Sequence, residues 1–379
     1  MVRRQDVTVG LAIPVSAGVP TYWTQRLFEQ WRTNVIRQTS VLAGTCATLA
    51  LVSGAYAADF SMKIASPNAE PAANLSEFQK IVTVPLTEFE TAVEERSGGR
   101  IDVEIFFAGQ LGKMETYPQL VRMGAVQAGI STDAQVSPYF EDINVLSTPY
   151  IFGSTDIAFS VFDDGFGEWL NDRMAEESNM RVIAWMQNGF RNFTANTPLN
   201  SAADLKGLKI RVQPSEIYMQ MVQSLGASPT PIPFSDLYTS LQTGVVDGQE
   251  NPYVAIRTAK LEEVQKYIIE DKHTYGVLVL VANEDWLESL PEDLRQIVRE
   301  EALAMAKRER QRAIDSDVAD RAYLESKGMT VKELTTAELQ AFKDLTQPDA
   351  LKLVGQTVDQ EVIDALFAAV AEAEKTHAN

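Results

Sequence analysis

The chain has 379 residues, of which 45% are hydrophobic and 22% are charged, and this length can accommodate two domains of ordinary size. Its formal net charge of −19 argues against nucleic acid and anionic membrane surfaces as partners, because both would repel it. An anionic ligand would have to be held by local positive groups against this overall field.

The N-terminal region predicts a secretory signal peptide. A mostly apolar run at 41–54 is preceded by Arg37 and closed by the small-x-small sequence 55–57, so we expect cleavage after Ala57. The run is short for a membrane span, and a buried helix or a retained anchor is the alternative. Because residues 1–34 resemble neither a signal n-region nor a domain, we expect translation to begin near Val35.

Cys46 is the only cysteine, and it lies inside this signal. The mature chain, residues 58–379, would therefore have neither a disulfide nor a cysteine nucleophile. Thr45 stands where a lipoprotein signal would have Gly or Ala, which argues against lipidation. Residues 1–57 hold five basic and two acidic residues, so removing their charge of +3 leaves the mature chain at −22.

The first part of the mature chain alternates predicted strands and helices. In chain order, strand, helix, strand, helix and strand are predicted at Phe60–Ala65, Leu75–Arg96, Ile101–Phe107, Tyr117–Met123 and Ala128–Ser131. This order predicts a mostly parallel sheet with helices on both faces and a ligand site beyond the carboxyl ends of the strands. Those ends lie near Ser66–Asn68, Phe107–Gly109 and Ser131–Asp133.

The alternation of predicted strands and helices resumes beyond a predicted crossing to a second domain. Val145–Phe152 and Arg181–Trp185 are predicted as strands, the polar segment 187–196 as a crossing to a second domain, and Asp247–Asn251 as a polar turn. Beyond the crossing, a strand, a helix, a short extended segment, a helix and a long apolar strand are predicted at Leu208–Val212, Glu216–Leu225, Pro229–Pro233, Ser235–Gln242 and Lys272–Ala282.

A long helix is predicted from Pro291 to Lys327, with proline at its start and Gly328 after its end. At 1.5 Å per residue it spans roughly 55 Å, which exceeds one domain, so we expect it to brace both domains.

A closing helix is predicted at Val358–Lys375. The expected α/β fold has two domains, formed by 59–188 with 277–316 and by 189–276 with 317–379.

The chain lacks the sequence motifs of the common catalytic and cofactor sites. Without HExxH, a paired His/Cys set or an Asp-rich loop, no metal is predicted, and without GxGxxG, GxxxxGK[ST] or GxSxG, no nucleotide cofactor or serine nucleophile is supported. His273 is expected to be structural, and His377 lies in the tail. Asp247 and Glu250 could form an acid–base pair, although a structural network is the favoured interpretation.

Arg191, Arg211 and Asn251 are the residues that stand out. An isolated arginine is usually a surface charge, and Asn251 before Pro252 could simply cap a helix. Arg211 differs because the core-like run 210–212 contains it. A guanidinium at a strand end that faces a cleft suits a small carboxylate, which accepts two parallel charge-assisted hydrogen bonds.

Five motifs occur in fixed order: GGRIDVEIFFAGQLG at 98–112, NGFRNFTAN at 188–196, LKGLKIRV at 205–212, GASPTPIPF at 226–234 and LQTGVVDGQENP at 241–252. With these motifs the chain from Asp59 to about Lys327 resembles the substrate-binding subunits of tripartite ATP-independent periplasmic (TRAP) transporters, of the C4-dicarboxylate-binding (DctP-type) family. The resemblance implies the periplasmic-binding-protein fold, with two α/β domains, a hinge and a long bridging helix.

The resemblance also implies an anchor for the acid group in the second domain. In this family the arginine of the KIRV-like strand binds the ligand carboxylate, and Arg211 matches it. A second arginine after the crossing, matched by Arg191, supports the same carboxylate. The asparagine of the GQENP turn, matched by Asn251, reaches the ligand, and the aromatic residue of the PIPF-like segment, matched by Phe234, packs against it.

The first domain is expected to supply the discriminating contacts, from Asn68, Thr132, Asp133 and Gln135. The sialic-acid-binding branch has a glutamate and an arginine where Thr132 and Gln135 stand, which argues against that ligand. Neutral polar groups suit hydroxyls, so a sugar acid or hydroxy acid is expected, whereas a simple C4-dicarboxylate would need a second cation. The branch with a metal-assisted site has a different turn from GQENP, so no metal is expected.

The sequence therefore predicts a periplasmic receptor, not an enzyme, that closes on an organic acid by hinge motion and delivers it to TRAP membrane subunits. We expect a monomer without a cofactor, although residues 340–379 leave a dimer open. Two other classes also remain open: a ligand-binding sensor for a signalling receptor, and a hydrolase or lyase that uses Asp247 and Glu250.

Overall fold

The computed structural model describes residues 58–72 and 80–377, which belong to one compact unit. The predictions about the signal peptide, Cys46, the start of translation and cleavage after Ala57 lie outside the described residues. The first part of the predicted helix Leu75–Arg96 also lies outside them. In the described ranges no helix has the length and apolarity that a membrane span requires.

One mixed sheet organises the described residues. Its strands are β1 (Phe60–Ala65), β2 (Ile101–Phe106), β3 (Ala128–Thr132), β4 (Met180–Ala195), β5 (Lys209–Val212), β6 (Ser228–Pro231), β7 (Gly248–Asn251), β8 (Tyr267–Asn283) and β9 (Thr330–Glu333). The order across the sheet is β2-β1-β3-β8-β4-β7-β5-β6, and β9 pairs with the outer part of β8. Two parallel triplets, β2-β1-β3 and β7-β5-β6, thus flank the antiparallel pair of β8 and β4.

Helices cover both faces of this sheet. They are α1 (Lys80–Ser97), α2 (Tyr117–Arg122), α3 (Asp133–Val136), α4 (Thr155–Asp163), α5 (Gly165–Ser178), α6 (Glu216–Ser224), α7 (Leu237–Gln242), α8 (Tyr253–Thr258), α9 (Glu284–Ser289), α10 (Glu292–Ser326), α11 (Thr336–Thr357) and α12 (Gln360–His377). Short 3-10 turns lie at Met114–Thr116, Glu141–Ser147, Ala202–Leu205, Phe234–Asp236 and Leu261–Glu263.

The pair of β4 and β8 connects the two triplets. The strands have 16 and 17 residues and pair from Met180 opposite Asn283 to Ala195 opposite Tyr267. Successive side chains of a strand point to opposite faces, so alternate residues of β8 enter different cores. Val277, Val279 and Val281 join the core under α4 and α12, whereas Leu280 and Ala282 join the core under α1 and α10. Burial on both faces explains the nearly continuous apolar sequence.

The long helix is confirmed. Helix α10 has 35 residues, corresponding to roughly 52 Å, and its bounds differ from the prediction by one residue at each end. A buried stripe at helical spacing runs along it through Val298, Ala302, Met305, Glu309 and Ala313. This stripe packs against α1 and the core around β4, which fixes the helix beneath the sheet.

Two strand predictions were wrong in type or length. Val145–Phe152 is not a strand, because the 3-10 turn Glu141–Ser147 buries its apolar side chains without an extended backbone, and Tyr150 has a positive φ of 57°. Arg181–Trp185 is only the start of β4. The polar segment 187–196 continues the same strand to Ala195, with register shifts near Gln187 and Arg191 that accommodate its irregular pattern.

The predicted polar turn Asp247–Asn251 is also wrong. Residues Gly248–Asn251 form β7, which is buried throughout and pairs with β4 and β5. The polar side chains are tolerated there because they bond to one another: Asn251 donates to Gln249 Oε1, and Gln249 donates to Thr194 Oγ1. A polar sequence in this place therefore marks a buried hydrogen-bond network and not an exposed turn.

The C-terminal part holds more helix than predicted. The closing helix begins at Gln360, near the predicted Val358, but the preceding α11 was missed. Earlier in the chain, α4 and α5 were also missed. Helix α11 contains Pro348, which ordinarily argues against a helix interior. The returning strand Lys272–Ala282 is confirmed and begins earlier, at Tyr267.

Candidate ligand-binding site

A cavity of about 210 Å³ lies beyond the carboxyl ends of β1, β3, β5 and β7. Parallel strands end at a common edge, so the residues that follow them meet there. Its polar lining, from both triplets, β4 and α10, comprises Asn68, Thr132, Gln135, Gln187, Asn188, Arg191, Arg211, Gln213, Asn251, Thr258 and Glu309. Seven of the eight predicted site residues line this cavity, and the eighth, Asp133, does not.

Arg211 is a buried cation that forms no ion pair within the described residues. It is 1% exposed, and the only hydrogen bond of its side chain in that part of the chain runs from Nε to the carbonyl oxygen of Ile232, at 2.7 Å. Burial lowers the pKa of Arg211 to about 10, with Arg191 adding to this effect and Glu250 opposing it. The guanidinium is therefore charged at neutral pH and lines a cavity where an anion would compensate it.

Arg191 is equally buried but already paired. Its Nε and Nη2 donate to the carboxylate of Glu250 at 2.5 and 3.0 Å, and Nη2 also donates to Asn251 Oδ1. Burial alone would lower the pKa of Arg191, but the charge and hydrogen bonds of Glu250, together with Tyr218 and Asp133, outweigh burial and raise it. The guanidinium also lies 5.3 Å from the centroid of the Tyr218 ring. Arg191 can add a hydrogen bond to a ligand, but most of its charge is compensated by the protein.

A buried chain of groups holds Glu250 in place. His273 Nε2 lies 3.3 Å from Glu250 Oε2, and its Nδ1 lies 2.9 Å from Asp271 Oδ2. Tyr150 donates to the same Asp271 carboxylate at 3.3 Å. Burial would lower the pKa of His273, but the two flanking carboxylates raise it, which is consistent with a charged imidazole. The structural role expected for His273 is confirmed.

The proposed acid–base pair is not brought together. Glu250 is fully buried, and although burial opposes ionisation, Arg191 and His273 lower its pKa. Asp247 is exposed and accepts a hydrogen bond from the Lys209 amide at 2.8 Å, and neither carboxylate lines the cavity. An ion-paired carboxylate and a loop-fixing carboxylate offer no general acid or base to a ligand here.

The predicted residues near β3 divide into two roles. Thr132 and Gln135 line the cavity, and the Thr132 amide donates to Gln135 Oε1 at 2.9 Å in a capping box that begins α3. Asp133 is 2% exposed and accepts a 2.6 Å hydrogen bond from Ser147, so it anchors the adjacent turn. Burial raises the pKa of Asp133, and its place outside the lining makes it a supporting residue.

Asn68 and Phe234 face the cavity from opposite sides. Asn68 follows β1, and its Oδ1 lies 3.4 Å from the Ser66 hydroxyl; Phe234 follows β6, and its amide donates to Glu115 Oε1 at 3.2 Å. The latter bond joins the segment after β2 to the segment after β6. The Lys113–Asp236 ion pair, at 2.8 Å, does the same.

Several lining residues were missed. Gln213 follows the KIRV strand and accepts a hydrogen bond from Thr132 Oγ1 at 3.2 Å. Gln187 and Asn188 stand beside the predicted Arg191 and were hidden by the assumption that this segment is a crossing. Glu309 could have been found, because it interrupts an otherwise apolar stripe of a helix that was predicted correctly. A charged residue in such a stripe signals a buried special position.

Comparison with known proteins agrees with this geometry. The family model of the bacterial extracellular solute-binding proteins, family 7 (DctP), matches residues 77–356. The chain belongs to this family. It is 33% identical to a solute-binding protein of Roseobacter denitrificans over 86% of this chain and 96% of that one. It is 32% identical to the C4-dicarboxylate-binding periplasmic protein DctP of Rhodobacter capsulatus, over 75% and 86%.

A solved structure extends the comparison to three dimensions. A TRAP periplasmic solute-binding protein from Roseobacter denitrificans with bound L-galactonate superposes with a TM-score of 0.72 at 31% identity, covering 83% of this chain and 99% of that one. The α/β fold predicted from the sequence and the resemblance to TRAP solute-binding subunits are thereby confirmed.

Proposed function

We propose that this DctP-family protein captures a small organic acid through Arg211. The observation that carries the proposal is the pairing of the two buried arginines: Arg191 has Glu250, whereas Arg211 has no acidic partner in the described part of the chain. Burying a charge without compensation is unfavourable, so a bound carboxylate would supply the negative charge that Arg211 lacks. Arg191 and Asn251 add hydrogen-bond donors to the ligand, and Phe234 packs against the ligand skeleton.

A sugar acid or hydroxy acid suits this cavity best. Apart from the two arginines and Glu309, its polar lining consists of neutral amides and hydroxyls, which donate to and accept from ligand hydroxyls. A second carboxylate would require a second uncompensated cation, and Arg191 is already neutralised by Glu250. The related protein with bound L-galactonate supports a sugar acid, whereas the DctP relative named for C4-dicarboxylates keeps a dicarboxylate as the competing class.

Capture proceeds by closure around the ligand. Three contacts join the two sides of the cavity: Lys113 with Asp236, Glu115 with the Phe234 amide, and Thr132 with Gln213. The predicted division into 59–188 with 277–316 and 189–276 with 317–379 places each contact between the two domains. A ligand that touches both sides favours the closed state, and excluding water strengthens its ion pair with Arg211.

Delivery involves the membrane subunits of a TRAP transporter. The secretory signal with cleavage after Ala57 places the mature, monomeric protein in the periplasm, where it acts as a receptor and not as an enzyme. Family membership and the separation of Asp247 from the cavity support this assignment. A sensor for a signalling receptor would use the same ligand site and differ only in its partner.

Calorimetric titration of ligand-stripped residues 58–379 tests the proposal. The panel comprises L-galactonate, glucuronate, succinate, a keto acid and a neutral sugar, each measured with the wild type, Arg211→Met and the surface control Arg100→Met. We expect an acid to bind the wild type and the control alike. Arg211→Met should lose about 2–5 kcal/mol, which is thirtyfold or more in affinity. A loss under threefold, or equal binding of the neutral sugar, would refute the proposed anchor.

A further inference from the structure

Two buried oxygen atoms in the cavity wall have no hydrogen-bond partner among residues 58–72 and 80–377. Oε1 of Glu309 and Oε1 of Gln187 are both inaccessible to solvent and unsatisfied, and both residues line the cavity that contains Arg211. Unsatisfied buried acceptors are rare because each forfeits the hydrogen bonds it would make in water. Their occurrence together in a binding cavity points to a ligand group that satisfies them.

Within the described residues Glu309 accepts a hydrogen bond but forms no ion pair. Its Oε2 accepts a 2.8 Å hydrogen bond from the backbone amide of Gln187, and the residue is fully buried on α10. Of the adjacent charged groups on the same helix, Arg308 pairs with Glu88, and Arg310 is directed to Asp163 and to the carbonyl of Trp185. The titratable group from β8 that interacts with it is Tyr275, which is neutral at physiological pH.

This environment keeps the Glu309 carboxyl group protonated at neutral pH. Burial raises the pKa of Glu309 to about 8, and the hydrogen bond from Gln187 and the charge of Arg310 only partly oppose the rise. A neutral carboxyl group does not repel an anionic ligand, and it can donate one hydrogen bond as well as accept. In the same cavity wall, Glu309 then offers a donor and Gln187 an acceptor, and a ligand hydroxyl group can satisfy both.

The two residues share the cavity with the carboxylate anchor. Arg211, Gln187 and Glu309 all line it, and Gln187 is four residues from Arg191 along β4, roughly 10–13 Å at about 3.3 Å per residue, shortened by the register shift between Gln187 and Gly189. A ligand held by its carboxylate at Arg211 can therefore present another part of its chain to Gln187 and Glu309.

We infer that Glu309 and Gln187 form a hydroxyl-binding end of the cavity, which selects acids with a hydroxylated chain over simple dicarboxylates. The inference rests on the proposed capture of an acid by Arg211 and adds a specificity determinant on the long helix. Glu309 donates to the ligand hydroxyl oxygen, and Gln187 Oε1 accepts the hydroxyl proton. Ionisation of Glu309 removes the donor and adds a negative charge beside an anionic ligand, so affinity falls as the pH rises through about 8.

Titration of ligand-stripped protein with L-galactonate and with succinate, between pH 6 and pH 9, tests the inference. Glu309→Leu should weaken L-galactonate at least tenfold at pH 7 and change succinate less than threefold. Glu309→Gln keeps a donor but cannot ionise, so it should bind L-galactonate like the wild type at pH 6 and more tightly than the wild type at pH 9. Glu325→Gln, the same change on an exposed residue of the same helix, should follow the wild type at every pH.

The outcomes separate this inference from the proposed function. If both Glu309 variants bind both acids like the wild type, the hydroxyl-binding end is refuted, and Arg211→Met still reports on the anchor. If the wild type prefers succinate, the hydroxyl-binding end is also refuted, whereas the Arg211 anchor is not. If the wild type binds no acid at all, both the hydroxyl-binding end and the Arg211 anchor are refuted. Should Glu309→Leu fail to fold, the pH profile of Glu309→Gln decides, and a profile parallel to that of the wild type refutes the inference.

Discussion

Replacing Arg211 with methionine should make the ligand-free protein more stable, although it removes the ligand anchor. Arg211 is 1% exposed, and burial lowers its pKa from the ordinary value of an arginine to about 10. At 1.36 kcal/mol per pKa unit this difference corresponds to about 3 kcal/mol of unfavourable charge burial. The penalty is present in full below pH 10, where the folded protein keeps the charge, and it disappears as the pH rises from about 10 to 12.5.

Two contributions determine the change in unfolding free energy of Arg211→Met at pH 7.5. The variant gains about 3 kcal/mol from removing the charge and loses about 1 kcal/mol with the hydrogen bond to the Ile232 carbonyl, so we expect the free energy of unfolding to rise by about 2 kcal/mol. Methionine approximates the aliphatic stem of arginine, which limits cavity formation. Urea unfolding of ligand-stripped wild type, Arg211→Met and Arg100→Met measures the difference.

Stripping of the ligand is essential, because an acid that co-purifies with the wild type would stabilise it and reverse the sign. With saturating acid present, the wild type should again exceed the variant. A natively folded Arg211→Met that is less stable than ligand-free wild type by more than 1 kcal/mol would refute the reasoning. It would mean that the fold already compensates this charge.

Three further variants probe other parts of the site. Arg191→Met should lose about 3–5 kcal/mol of unfolding free energy, because Glu250 would be left buried without its arginine partner, and a change below 1 kcal/mol would contradict the pairing. Gly248→Ala should lose more than 2 kcal/mol of unfolding free energy in urea titration, because its Cβ would lie 2.2 Å from the Thr194 carbonyl oxygen. Stability like that of the wild type would show that the strands can separate. Phe234→Ala should weaken acid binding by about 1–2 kcal/mol in calorimetry with unchanged melting temperature, whereas unaltered affinity would remove Phe234 from the site.

Much of the fold follows from sequence periodicity, and the errors have physical causes. Alternating side chains predicted the strand at Phe60–Ala65, and a long apolar run predicted the strand at Lys272–Ala282. The helix at Pro291–Lys327 was predicted with proline at its start and Gly328 after its end. The strand predicted at Val145–Phe152 was wrong because an apolar run indicates burial but does not specify an extended backbone. Helix α11 was missed because Pro348 argues locally against a helix that tertiary packing maintains.

The candidate site was predictable where a residue differs from its immediate surroundings. Arg211 stands out because a cation within a short apolar strand requires an explanation, and the structure places it in the cavity wall with no acidic partner among the residues it describes. The sequence could not show that Arg191 is neutralised, because Glu250 is 59 residues away and joins it only through the pairing of β4 with β7. For the same reason Asp133 was expected in the cavity, whereas its contact with Ser147 draws it away.

The distribution of charge in this chain has a consequence for the rate of ligand association. Both cavity arginines are at most 2% exposed, whereas the chain as a whole carries a charge of −19, so an approaching anion meets a repulsive field before it reaches Arg211. Dissolved salt screens that field beyond about 10 Å at 0.1 M but leaves the buried ion pair almost untouched. Association should therefore accelerate with ionic strength, the reverse of ordinary electrostatic steering, and discrimination between anions arises after entry into the cavity.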